Sequence, residues 1–141
     1  MVCNPRLIMC KFKNNPLNIR YSGFNRWQGL TGERKGFCEF STISYGIRAA
    51  AIILMRSYRK YDCDTVRSII RRWAPPSENP TDHYIRFVCE KTKMIAVETL
   101  RKPAQYALLI WAMAWFEQGH KPEFTPLDVM QCFTKFKITI Q

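Results

Sequence analysis

Ala104-Gln105-Tyr106-Ala107-Leu108-Leu109-Ile110-Trp111-Ala112-Met113-Ala114-Trp115-Phe116-Glu117-Gln118-Gly119 is the longest nearly uncharged run in the chain, and its reading decides the fold. Pro103 at a first-turn position and Gly119 just past the end bracket a helix of about 16 residues, with Pro122 as a further stop. The run is apolar on almost every face, so a globular domain would bury it centrally. A helix that spans a membrane needs about 20 apolar residues; this run is shorter and contains the polar Gln105 and Glu117. It therefore reads as a core helix, with one acid, Glu117, where the buried rod reaches the surface.

Working outward, four more helices are predicted. Thr125-Pro126-Leu127-Asp128 starts one on the C-terminal side, with Leu127, Met130 and Phe133 turned inward. On the N-terminal side, Asn79-Pro80-Thr81-Asp82 reads as N-cap, first-turn proline and third-position acid, followed by Tyr84, Ile85 and Val88. Asp64 is expected to cap a helix whose buried face is Val66, Ile69, Ile70 and Trp73, ended by Pro75-Pro76. From Ser41 or Thr42 a helix is expected to run to about Lys60 on the period of Ile43, Ile47, Ala50, Leu54 and Tyr58, and to tolerate Gly46 if it packs closely there. Ahead of these helices, Gly36-Phe37-Cys38-Glu39-Phe40 alternates and suggests a small hairpin across Gly32 to Gly36. Residues 1–13 form a short basic segment with one strand expected by alternation. The predicted class is mainly α (α+β): a single domain over 1–141, with the basic segment 1–13, an Asn/Gly/Trp loop and hairpin over 14–40, and a helical body over 41–141.

At 141 residues the chain is long enough to bury a core without staples. Its 47% hydrophobic and 23% charged content is ordinary, but 22 Lys and Arg against 11 Asp and Glu leave a net charge of +11. Such a surface attracts polyanions, whether nucleic acid, anionic lipid or an acidic wall polymer, and charge alone does not choose among them. The six cysteines include no C-x-x-C pair and only His83 and His120 could add imidazole, so no metal site is expected. Scattered through apolar segments, these cysteines read as reduced, buried small side chains. No phosphate-cradling glycine loop and no Ser-His-Asp or Cys-His set is present, and no cofactor is expected. The first twenty residues carry Arg6, Lys11, Lys13 and Arg20 without a continuous apolar segment, so no secretory signal is expected.

Three carboxylates are candidate catalytic groups, each with a structural explanation beside it. Glu117 at the mouth of an aromatic-lined helix would be partly desolvated and suited to donate a proton, with Trp111 and Trp115 as its apolar wall if they lie on the same side; a solvated helix-end glutamate is the plain alternative. Glu78 precedes a helix start, where the macrodipole alone accounts for an anion. Glu33 lies at the hairpin tip, where it is either a turn residue or the second carboxylate that glycosidases place across the same bond. Arg67, Arg71, Arg72, Arg86, Lys91 and Lys93 could line a nucleic-acid stripe, although basic helix faces are commonly just solvated and no recognition helix stands out.

Several segments, in order, resemble a known family: Asn14-Asn15-Pro16-x-Asn18-Ile19-Arg20, Trp27-Gln28-Gly29, Gly36-Phe37-x-x-Phe40, Gly46-Ile47-Arg48-Ala49, Arg72-Trp73-Ala74-Pro75-Pro76 and Glu78-Asn79-x-Thr81-x-x-Tyr84-Ile85. They resemble phage-associated structural proteins of the cystovirus virion muralytic type, with a lysozyme-like fold, over roughly residues 14–90. Glu78 to Val88 is similar to the Glu-Thr-Arg…Tyr-Val…Val helix of lytic transglycosylases, and Ile110 to Gly119 looks like the helix that carries their catalytic glutamate. Asn14 to Ile19 resembles the Asn-Asn-Pro-Phe-Gly-Ile loop of wall glucosaminidases, with Leu17-Asn18 where that loop has Phe-Gly. The order departs: in those enzymes the catalytic helix comes first, and here it comes last. A circular permutation would reconcile the two and requires the Asn-rich loop to pack beside Glu117.

The resemblance implies cleavage of bacterial peptidoglycan, as a muramidase or lytic transglycosylase, with Glu117 as general acid and base. Asn15, Asn18, Arg20, Asn79, Thr81, Tyr84 and Glu78 would orient sugar or stabilise charge, and Trp27 and Trp115 would stack on rings. It implies delivery to the wall by a phage lysis pore or on a virion. A non-catalytic virion or wall-binding protein of the same fold is the alternative, and a basic nucleic-acid-binding helical protein is a further one.

Overall fold

The computed structural model of the protein describes residues 10–140. Strands β1 (Leu30–Arg34) and β2 (Phe37–Phe40) form an antiparallel hairpin, and five α-helices follow: α1 (Ile43–Ile52), α2 (Val66–Trp73), α3 (Thr81–Thr92), α4 (Pro103–Gln118) and α5 (Pro126–Lys135). This is the α+β single-hairpin, five-helix arrangement that the periodicities predict. The hairpin turns at Lys35-Gly36, both in the left-handed region, and its register slips between Leu30 and Gly32.

The central rod is α4, with Tyr106, Ala107, Leu109, Ile110, Ala112, Met113 and Ala114 buried. It packs on α3, α5 and α1. Pro103 opens its first turn, where a missing N–H costs nothing, and Gly119 closes it in the left-handed conformation (φ 79°). Gln105 Oε1 accepts from the backbone N–H groups of Arg101 and Lys102, which tightens the entry.

Five expectations need correction. Thr65, not Asp64, caps α2: its hydroxyl accepts from Ser68 N while Ser68 Oγ accepts from Thr65 N, a reciprocal box that Asp64 stands one residue too early to make. Helix α3 begins at Thr81, after Pro80, so Asn79 is not its cap; the Asn79 amide donates instead to Pro75 O. In α5 the inward residues are Val129, Cys132 and Phe133, whereas Leu127 is 67% exposed. The helix expected to run from Thr42 to Lys60 is regular only to Ile52, then widens into a π turn (Ile53–Ser57) and tightens into a 3-10 turn (Tyr58–Tyr61) that stops at left-handed Asp62. Residues 10–13 are bends and turn rather than strand, and the rest of the expected N-terminal strand lies outside the described residues.

Gly46 packs as closely as its position demands: a Cβ there would collide with the carbonyl oxygen of Asn14 and lie 2.9 Å from Pro16 Cδ. That contact seats the Asn-rich loop on α1. The five cysteines among the described residues are free thiols, Cys38 and Cys132 buried. Among the described residues no helix is long and apolar enough to cross a membrane, and no group of three or more His, Cys, Asp or Glu could hold a metal ion.

Candidate active site

The loop over residues 14–19 is built by its own amides. Asn15 is fully buried; its Nδ2 donates to Ile19 O (3.0 Å) and Cys38 O (2.8 Å), and its Oδ1 accepts from Ile19 N (2.8 Å). Asn14 and Asn18 sit at φ 55° and 53°, the left-handed region that asparagine tolerates better than most residues. Position 18 is where the similar wall-glucosaminidase loop carries glycine, and asparagine meets the same backbone demand while adding an amide. Cys38 N donates to Ile19 O (2.9 Å) and Tyr21 N to Gly36 O (2.8 Å), which fastens the loop to the hairpin.

Helix α4 delivers Glu117 and Gln118 onto this loop. Asn18 Nδ2 donates to Glu117 Oε1 at 3.0 Å, across 99 positions of sequence. Gln118 Nε2 donates to Pro16 O (2.8 Å) and Asn18 Oδ1 (3.1 Å), and its Oε1 accepts from Lys11 N (2.8 Å). The Asn-rich loop and the end of the core helix are therefore in contact, as the permuted arrangement requires.

The second oxygen of Glu117 is held from the other side. Tyr84 Oη, on α3, donates to Oε2 at 2.8 Å, and Trp73 Nε1, at the end of α2, donates to the same oxygen at 3.3 Å. Tyr84 is buried, and its ring stacks on Phe116 with centroids 3.9 Å apart. Burial first, then the charge and hydrogen bond of Glu117, push the Tyr84 phenol well above its ordinary range, so it remains a donor. Tyr58, set by the 3-10 turn, meets Trp73 edge-on at 6.4 Å. Helices α2 and α3 and the N-terminal loop thus each bring one group to the half-buried carboxylate that α4 carries.

The structure gathers Glu117, Asn18 and Tyr84 and distributes the other predicted site residues elsewhere. Glu33 stays in the hairpin turn, accepting from Gly36 N at 2.9 Å. Glu78 and Asn79 are exposed in the loop between α2 and α3, while Thr81 is buried and donates its hydroxyl to Ala74 O. Arg20 is exposed and lies over the Phe37 ring at 5.1 Å. Asn15 is consumed inside its loop. Trp27 packs against the core with its Nε1 buried and without a hydrogen-bond partner among the described residues.

Trp115 does not wall Glu117: two residues along a helix is about 200° of rotation. It meets Phe87 and Trp111 on another face, with Lys91 Nζ 4.6 Å and Lys121 Nζ 5.9 Å from its ring. The rings at the carboxylate are Trp73 and Tyr84. Trp73, Tyr58 and Gln118 escaped the sequence reading because core packing and a helix terminus explained them equally well. The Arg72-Trp73-Ala74-Pro75-Pro76 segment was the available signal, since an indole before a forced helix stop has its N–H near a chain reversal.

No family model matches the chain. Over 113 aligned residues it is 40% identical to Protein P5 of Pseudoalteromonas phage PM2, an alignment that covers 77% of this chain and 70% of that protein. At that identity and coverage, the chain belongs to the family of this phage protein.

Proposed function

We propose that the protein cleaves the glycan strand of bacterial peptidoglycan, with Glu117 as its general acid and then its base. The observation that carries this reading is the convergence of Asn18, Tyr84 and Trp73 on a half-buried glutamate at a helix end. The two oxygens of that carboxylate differ: Oε2 takes two donors, while Oε1 takes one side-chain donor and keeps a lone pair for a proton. Tyr84 and Trp73 fix the orientation of the group, and Oε1 delivers the proton to the glycosidic oxygen between muramic acid and glucosamine. The resulting carboxylate then takes a proton from the muramyl hydroxyl, forming an anhydro product, or from water. With Glu33 in the hairpin turn and Glu78 in an exposed loop, the chemistry rests on one carboxylate rather than a facing pair. The +11 charge suits an acidic polymer as partner. Membership in a phage protein family is consistent with action on a host wall reached by a lysis pore or on a particle.

The second reading is a non-catalytic wall-binding or particle protein of the same fold. It is favoured by the fact that the Glu117 cluster already joins the N-terminal loop to α3 and α4, which is a structural role. Purified peptidoglycan separates the two. Glu117→Gln should release soluble fragments roughly 10²–10⁴-fold more slowly than the natural protein, the usual loss of a positioned acid–base group. Mass spectrometry of the digest should show anhydro or reducing-end muropeptides. Equal rates for the variant and the natural protein would refute the assignment of the acid. No release of fragments by the natural protein at any pH from about 4 to 8 would leave the binding reading.

A further inference from the structure

We propose that Arg72, laid against Tyr61 and Tyr58 beside the Glu117 cluster, is a subsite for a carboxylate carried by the wall glycan. This rests on the glycan reading above and adds to it the charge of the sugar chain that is selected.

Helix α2 ends in Arg71-Arg72-Trp73, and its last two side chains part company. Trp73 is half-buried and gives its indole N–H to Glu117, whereas Arg72 is exposed. The guanidinium carbon of Arg72 lies 4.1 Å from the centroid of the Tyr61 ring and 5.4 Å from that of Tyr58. Tyr58 in turn stands edge-on to Trp73 at 6.4 Å. Arg72, Tyr58, Trp73 and Glu117 thus form one unbroken series of contacts from an exposed cation to the reacting acid.

The chemistry of this series is specific. A guanidinium seated over a ring keeps its N–H fork for a planar, two-oxygen acceptor. Among the described residues no carboxylate lies within ion-pair distance of Arg72, so that fork is not already spent on a protein acid. Burial pushes the Tyr58 phenol up to about 12 despite the neighbouring Arg72 charge, so the ring beneath the cation is neutral at working pH. Tyr61, 62% exposed, is the nearer ring under the cation, at 4.1 Å, and presents the rest of its flat apolar surface to solvent. A flat ring next to a fixed fork matches a pyranose that carries an acid.

Peptidoglycan offers that acid from two sources. In strands stripped of peptide it is the lactyl carboxylate of muramic acid; in intact strands that group is an amide, and the stem peptide supplies the carboxylates. Binding is measured by calorimetry on the full chain carrying Glu117→Gln, which removes turnover. The probes are peptide-free glycan strands, peptide-bearing strands and neutral chitotetraose. Carboxylated strands should bind roughly tenfold more tightly than the neutral oligomer, and adding Arg72→Gln should abolish that preference. Arg67→Gln removes the same charge from an exposed position of α2 and should leave the preference intact.

A preference confined to peptide-bearing strands and lost with Arg72→Gln supports the subsite with the stem peptide as its acid. Preference for both strand types, lost in the same way, supports the lactyl group as well. Equal binding of neutral and acidic probes, or a preference that survives Arg72→Gln, overturns the subsite and leaves glycan binding standing. A single-stranded DNA of matched charge that binds more tightly than the strands, and depends on Arg72, overturns it in favour of a nucleic-acid surface. Failure to bind any glycan overturns the glycan reading and the subsite together.

Discussion

Two loops that each set asparagine beside proline, 14–19 and 75–80, behave in opposite ways. Both contributed candidate site residues. In the first, Asn15 is buried with both ends of its amide engaged, and Asn18 reaches Glu117. In the second, residues 75–80 are exposed, and the Asn79 amide only closes a local turn onto Pro75 O. What separates them is what covers them: α1 offers Gly46 as a seat for the first loop, and Gln118 grips it from above, while nothing comparable covers the second. Asparagine in a loop is thus a structural element where the backbone around it is buried and a mere turn former where it is wet.

The comparison can be broken at several points. Asn15→Ala leaves Ile19 N without its acceptor in a dry interior, and takes the Asn15 amide from Cys38 O and from Ile19 O, which keeps Cys38 N as a donor. Stability should fall by about 3 kcal/mol, read as a lower midpoint in urea at unchanged slope. Gly46→Ala forces a methyl group against the Asn14 carbonyl and should cost about 2 kcal/mol. Because the seat of the loop is then displaced, the same variant should lose the proposed peptidoglycan turnover beyond its loss of stability.

A smaller effect is expected at alkaline pH. The folded Tyr84 phenol titrates well above its ordinary value of 10, and folded Tyr58 titrates at about 12. Groups with raised folded values contribute stability that is complete below the unfolded value and is lost as pH rises toward the folded one. Thermal midpoints should therefore hold up to about pH 10 and decline above it, and Tyr84→Phe should flatten the decline. At the low end, Asn79→Ala should change stability by less than about 0.5 kcal/mol. A cost equal to that of Asn15→Ala would erase the distinction between the two loops.

Much of the fold was legible because its signals are local. Pro103 and Gly119 delimit α4, Thr125-Pro126-x-Asp128 opens α5, and Gly32 to Gly36 marks the hairpin, each through backbone chemistry that acts over a few residues. The N-caps of α2 and α3 lie one residue beyond the expected ones, Thr65 rather than Asp64 and Pro80 rather than Asn79. The break in the helix after Ile52 left no trace in a period that Leu54 and Tyr58 continue. At the site, Glu117 was legible as the lone acid of an apolar run, and Asn18 and Tyr84 through the family resemblance. The partnership of Glu117 with Trp73 and the grip of Gln118 on Pro16 are side-chain hydrogen bonds between distant segments, and no local pattern encodes them. Trp115 stands two residues from Glu117, a spacing that puts the two on different sides of the helix.

The Asn18–Glu117 hydrogen bond also bears on how the molecule assembles. A contact that joins positions 99 residues apart closes a loop comprising most of the chain, and its entropic cost falls on the folding transition rather than on the finished state. Helices α2 to α5 can collapse on one another first, through contacts between neighbours in sequence. The carboxylate then acquires its last partner only when the N-terminal loop docks, so the site is assembled late and a chain caught partway would hold Glu117 against Tyr84 and Trp73 alone. Refolding followed by indole fluorescence should show packing around Trp73 ahead of recovery of activity, with the interval lengthened by Asn18→Ala.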